Sequence, residues 1–275
     1  MKPRTLHITE APTSLKPPES VDLPVEVHAA LGRIDRVEQP EQGRCNLLQI
    51  LHTESGSYVL KAARGRYRVR ELWAEHAAME LLHGSAVPVP RSLLFVEMGD
   101  EAVQLRELVG GTPLKHVLRG AERRDGLMAM ARTLAAIHLL PGPGGWTWSD
   151  WTDGALAAAE RNMRAGAIDL EEDFPDDPPE AVLAWLHANR PAPGAVTLLH
   201  GDYRPKNLLW EAGRISGVID WAFADYGDPY YDLGIAVAYT APGAEREQFL
   251  RDYGLQSPDW ERLLWCERLA TFINV

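Results

Sequence analysis

Two apolar runs, residues 208–210 and 215–219, stand only four residues apart, joined by Glu211-Ala212-Gly213-Arg214. Runs this short with a glycine in the connection predict a tight turn and an antiparallel hairpin. The ends of a hairpin lie side by side, so Asn207, where the chain enters, and Asp220, where it leaves, are expected near one another. Asp202 precedes Asn207 in the polar loop His200-Gly201-Asp202-Tyr203-Arg204-Pro205-Lys206-Asn207. Two carboxylates and an amide oxygen make a hard, all-oxygen donor set. Such a set suits Mg2+, which takes a few protein oxygens and keeps room for phosphate and water. One carboxylate can be spared to accept a proton from an incoming hydroxyl.

The texture of the chain changes along its length. Residues 1–24 are proline-rich and polar and read as an irregular arm. Residues 47–51 and 58–62 read as two strands of a hairpin, and residues 67–84 as a helix that closes at Gly84. Two more strands follow around Gly99-Asp100, ending at the flexible pair Gly110-Gly111. From there the helical period dominates, with strands expected only around residues 196–219. A two-lobed α+β fold is the expectation: an antiparallel-sheet lobe with one main helix over residues 25–109, and a mostly helical lobe over 110–275. The acidic, proline-rich stretch 169–180 reads as an exposed loop.

Composition narrows the function. With 275 residues, 45% of them hydrophobic and 24% charged, the chain can bury a sizeable core. A net charge of -11 argues against nucleic acid or an anionic membrane as partner. The two cysteines, Cys45 and Cys266, make neither a disulfide framework nor a CxxC zinc site, and the nine histidines form no HExxH pair. The first twenty residues lack an apolar core, and no apolar run has the length of a membrane span. A cytoplasmic location is expected.

His200-Gly201-Asp202-x-x-x-x-Asn207, followed by Ile219-Asp220-Trp221, resembles the catalytic signature of the aminoglycoside phosphotransferase and choline kinase superfamily. That group shares its fold with protein kinases. The resemblance implies an enzyme, an ATP- and Mg2+-dependent phosphotransferase acting on a hydroxyl of a small molecule, with a cationic acceptor such as an aminoglycoside among the candidates. Choline, ethanolamine, homoserine and sugar kinases, and a regulatory pseudokinase, are the alternatives. It implies Asp202 as base, Asn207 and Asp220 as Mg2+ ligands, and Arg204 as a phosphate contact. Lys61, ending a strand, would face the nucleotide phosphates. Alignment with the family's helix pattern selects Glu75 as its ion-pair partner, with Glu71 as the alternative one turn earlier.

The phosphate-covering loop would lie at residues 41–46, where Gly43 is the sole glycine. The backbone of Glu107, Leu108 and Val109 would read the adenine edge. Asp228 should cap a helix with Pro229 at its first position, and Asp232 should brace the catalytic loop. Only eleven residues separate Asp220 from Asp232, too few for an activation segment with an A-P-E motif, so a small-molecule substrate is expected rather than a protein. Glu160, Asp225 and Glu267 are candidate receivers of substrate ammonium groups. A monomer or homodimer is expected.

Overall fold

The computed structural model describes residues 21–40, 46–142, 145–166 and 178–273. These fall into two compact units. The first comprises residues 21–111 and 216–223, the second residues 112–215 and 224–273.

The first unit is built on five strands: β1 (Ile34–Glu38), β2 (Leu47–Thr53), β3 (Gly56–Arg64), β4 (Ser92–Met98) and β5 (Glu101–Glu107). They form one antiparallel sheet in the order β1-β2-β3-β5-β4. Period-two alternation gives the sheet two different faces. Leu60, Ala62, Val103 and Leu105 point to one face and pack with Leu47, Leu51 and with Val27 and Leu31 of helix α1 (Val25–Leu31). Ala63 and Ala102 point to the other and meet Leu72 of helix α2 (Arg66–Leu82). Lys61, sitting between Leu60 and Ala62, is thereby aimed at the α2 side. Helix α2 ends as the glycine signal indicated, with Gly84 at φ 78°. Helix α1 and strand β1 lie where the sequence gave no periodic signal: β1 has no fully buried residue, so it carries little apolar alternation.

Residues 216–223 complete this unit. Val218 N–H donates to the Pro88 carbonyl at 2.7 Å, and Ser216 Oγ donates to the Gly110 carbonyl at 2.8 Å. Trp221 is fully buried, and its indole N–H donates to the Val218 carbonyl at 2.9 Å. The 3-10 turn Trp221–Phe223 packs on α2. Between these anchors Asp220 takes a left-handed φ of 63°, uncommon for a residue other than glycine.

The second unit is mainly helical: α3 (Leu114–Val117), α4 (Arg123–His138), α5 (Trp148–Arg164), α6 (Pro179–Ala188), α7 (Pro229–Val237), α8 (Ala244–Tyr253) and α9 (Trp260–Ile273). Short strands β6 (Thr112–Pro113), β7 (Thr197–Leu199), β8 (Leu208–Glu211) and β10 (Asp225–Gly227) lie among them, and β9 (Arg214–Val218) starts here and ends in residues counted with the first unit. Strands β10 and β7 pair, and the second small sheet has the order β6-β8-β9. The β8–β9 turn places Ala212 at φ 49° and Gly213 at φ 78°, the positive-φ pair that a two-residue hairpin requires. Trp151, Leu156, Leu186, Tyr231, Trp265 and Phe272 form the core of this unit. A Cβ on Gly234 of α7 would come within 2.8 Å of the Glu267 amide nitrogen, so the glycine is what lets α7 and α9 approach. Helix α5 starts at Trp148. A capping box explains it: Thr147 Oγ1 accepts from Asp150 N–H, and the Asp150 carboxylate accepts from Thr147 N–H.

The fold is α+β, an antiparallel-sheet part followed by a mostly helical part. No helix among the described residues is long and apolar enough to cross a membrane.

Candidate active site

The first unit gathers four charges. Lys61 Nζ on β3 donates to Glu75 Oε2 of α2 at 2.5 Å and to Asp220 Oδ1 at 2.8 Å. Glu75 Oε1 accepts from Arg106 Nη1 of β5 at 2.6 Å. Lys61, Glu75 and Arg106 are all buried, while the Asp220 side chain is partly exposed. Burial by itself disfavours the Lys61 ammonium, but the carboxylates of Asp220 and Glu75 outweigh it and hold the lysine above its ordinary value. Of the two glutamates open from sequence, Glu75 is the one on Lys61; Glu71 pairs with Arg68 at 2.8 Å instead. Arg106 was not singled out in the sequence. A buried arginine in a strand reads as an edge residue until its partner on another element is known.

The second unit carries the polar loop. Its backbone rests on one buried carboxylate. Asp232 Oδ2 accepts from His200 N–H at 2.7 Å and Oδ1 from Gly201 N–H at 2.9 Å, the bracing expected of it. His138 Nε2 of α4 stands 3.2 Å from the same Oδ2, and its Nδ1 is 2.7 Å from the Tyr253 hydroxyl. Asp228 caps α7 as expected, accepting from Tyr230 N–H at 2.9 Å with Pro229 first in the helix. It also takes the Trp148 indole N–H at 2.6 Å and Arg262 at 2.9 Å, neither of which the local pattern announces.

Above this brace, Asp202 is buried among donors. Asn207 Nδ2 donates to the Asp202 carbonyl at 2.9 Å and to Oδ2 at 3.0 Å. Lys206 Nζ lies 3.1 Å from Oδ2. Arg204 Nε lies 2.6 Å from Oδ1, an ion pair by distance although its N–H does not point along the contact. So Arg204, read from the sequence as a phosphate contact, is placed on Asp202. Lys206 joins it there, four residues after Asp202, a spacing that was legible but unused.

Among the described residues, no three His, Cys, Asp or Glu side chains cluster as a metal site. The donor chemistry still fits Mg2+. Asn207 uses its amide nitrogen on Asp202, which leaves its amide oxygen as a hard donor, and Asp220 has a partly exposed carboxylate.

Gly43 lies outside the described residues. Glu107 N–H donates to the Arg91 carbonyl at 3.0 Å and Leu108 N–H to the Ser57 carbonyl at 3.1 Å. Of the acids considered for substrate ammonium groups, Glu160 pairs with His187 and Arg164, and Glu267 with Arg246. Asp225 is buried, with Oδ1 accepting from Tyr226 N–H at 2.8 Å. Most of the 169–180 stretch is outside the described residues.

A strand lysine fixed by a helix glutamate, and an HGD-x-x-x-x-N loop braced by a later aspartate, define a kinase-like phosphotransferase. Residues 36–266 match the model of the phosphotransferase enzyme family, APH, and the chain belongs to that family. An aminoglycoside 3'-phosphotransferase of Streptomyces fradiae is 32% identical over 219 residues, 74% of this chain and 80% of that one. The crystal structure of an aminoglycoside-3'-phosphotransferase of type VIII superposes with a TM-score of 0.68 at 24% identity, over 90% of this chain and 97% of that one. A ternary complex of a thermostable mutant of aminoglycoside phosphotransferase APH(4)-Ia with AMP-PNP and hygromycin B has the same fold. It superposes with a TM-score of 0.63 at 21% identity, covering 90% and 87%. The chain is thus a small-molecule phosphotransferase with a kinase-like fold.

Proposed function

We propose that this chain transfers the γ-phosphate of ATP, as its Mg2+ complex, to a hydroxyl of an aminoglycoside-like cationic small molecule. The observation that carries the reading is Lys61, kept as an ammonium between Glu75 and Asp220. A buried cation is costly unless paired, and this one is paired where a nucleotide phosphate could exchange for a carboxylate. Lys61 then contacts the phosphates, with Glu75 orienting it. The Glu107 carbonyl and the Val109 N–H read the adenine edge, and Gly43 belongs to the loop over the phosphates. Mg2+ supplies charge neutralisation and alignment of the phosphate oxygens; Asn207 and Asp220 hold it.

Asp202 accepts the hydroxyl proton. Arg204 and Lys206 lie against its two oxygens and keep it aimed. As the γ-phosphoryl group passes to the acceptor oxygen and its bond to ADP breaks, the same two cations are at hand to offset the negative charge of the phosphoryl oxygens. The aminoglycoside 3'-phosphotransferase relative supports the acceptor class, and a net charge of -11 suits a cationic substrate. We place the enzyme in the cytoplasm as a monomer or homodimer, with no nucleic-acid or membrane partner.

The test is an ADP-release screen over aminoglycosides, macrolides, choline, ethanolamine, homoserine and simple sugars, beside a melting experiment with Mg-ATP. Turnover with an aminoglycoside and a raised melting temperature are expected; nucleotide at about 100 times its Kd adds about 2.7 kcal/mol. Asp220→Ala should remove that shift while staying folded. No shift in the parent protein overturns the nucleotide claim, and turnover confined to another acceptor overturns the substrate class.

A further inference from the structure

Resting on the phosphotransferase reading, we infer that Arg106 is a positioning residue for the nucleotide lysine. It holds the second oxygen of Glu75 so that the first is presented to Lys61. The sheet register explains why this is possible. Lys61 pairs across β3–β5 with Gln104, and Val59 with Arg106, so Lys61 and Arg106 are diagonal neighbours on one face. Glu75 comes down on that face from α2 and takes one cation on each oxygen, at 2.5 Å and 2.6 Å.

A carboxylate held at one oxygen alone can swing about its terminal bond, and its lysine swings with it. Held at both, it cannot. The guanidinium is suited to the task because its donors are rigid and it stays charged. Arg106 also shares the negative charge of Glu75. Without it the whole carboxylate would draw on Lys61, pulling the ammonium towards α2 and away from a phosphate. Glu75 is fully buried, so no water is at hand to replace the arginine. Arg106 does this at one remove: it directly precedes Glu107, whose carbonyl is assigned to the adenine edge, yet its side chain is committed to Glu75.

The experiment is a double-mutant cycle on KM for Mg-ATP and on kcat, with Arg106→Met, Glu75→Gln and the double variant, and circular dichroism to check folding. Arg106→Met should raise KM for Mg-ATP about tenfold, the low end of what removing an outer partner of a functional group costs. Arg106→Lys, which returns one charged donor, should recover most of that loss. In the Glu75→Gln background, Arg106→Met should add less than about twofold, because Arg106 acts through Glu75. Should Arg106→Met not fold, Arg106→Gln replaces it with the same expectation. A folded variant with parental KM, or an equal effect in the Glu75→Gln background, overturns the inference. A parent protein that neither binds Mg-ATP nor releases ADP overturns the phosphotransferase reading instead, so the two failures are distinct.

Discussion

Asp232→Asn tests how the catalytic loop is held. In the structure the Asp232 carboxylate is fully buried and takes His200 N–H at 2.7 Å, Gly201 N–H at 2.9 Å and His138 Nε2 at 3.2 Å. A hydrogen bond to a charged group contributes about 1.5–3 kcal/mol. Asparagine keeps one carbonyl oxygen and turns an N–H2 towards donors, so one backbone bond survives and the other is lost and left buried. The relief of no longer burying a charge offsets part of this. The net loss is about 2–4 kcal/mol. Amide exchange at His200 and Gly201 reads the change directly, because these donors open when the brace fails. At 1.4 kcal/mol per decade, exchange should quicken roughly 30- to 700-fold. Exchange at both amides within about threefold of the parent would refute the bracing role and the reasoning behind it.

Two further outcomes follow from the second unit. Glu245 takes Arg123 on both oxygens, at 2.8 Å and 2.7 Å, and that hydrogen bonding, against some desolvation, holds its carboxyl below the ordinary 4.5. A depressed carboxyl stabilises above its unfolded value, and the contribution is lost as pH falls through the folded one. Glu245→Gln should therefore cost about 0.5–1 kcal/mol at neutral pH, kept low by solvent screening, and nothing well below pH 4, as denaturant melts across pH would show. Gly234→Ala places a methyl within 2.8 Å of the Glu267 amide nitrogen, a contact with backbone that cannot rotate away. It should destabilise by about 1–3 kcal/mol in the same melts while leaving the nucleotide-induced shift in place.

The parts of the site that were legible in sequence are those whose partners lie close along the chain or follow a familiar spacing. Asp202 and Asn207 share one loop, Asp228 and Pro229 make a cap by themselves, and the strand lysine came with only two glutamates to choose between. Residues whose role depends on a distant element, and which stand in no familiar spacing, were not legible. Arg106 and His138 look like ordinary polar residues of a strand and a helix until Glu75 and Asp232 are set beside them. Strand β1 escaped because it buries little and so shows little apolar alternation. The start of α5 carries a local signal, Thr147 with Asp150 three residues on. The turn at Ala212-Gly213 was marked by its glycine, the residue that takes a positive φ most readily. The left-handed Asp220 had no such mark; it lies between the anchors at Val218 and Trp221.

The central claim is that Asp202 takes the proton from the acceptor hydroxyl. It is tested most directly by single-turnover transfer from Mg-ATP in Asp202→Asn beside nucleotide binding in the same variant. Asparagine preserves the size and an oxygen for Asn207 but cannot accept the proton. The account predicts Mg-ATP binding close to the parent's, with transfer slowed by about 10²–10⁴-fold. Transfer at the parental rate would contradict it.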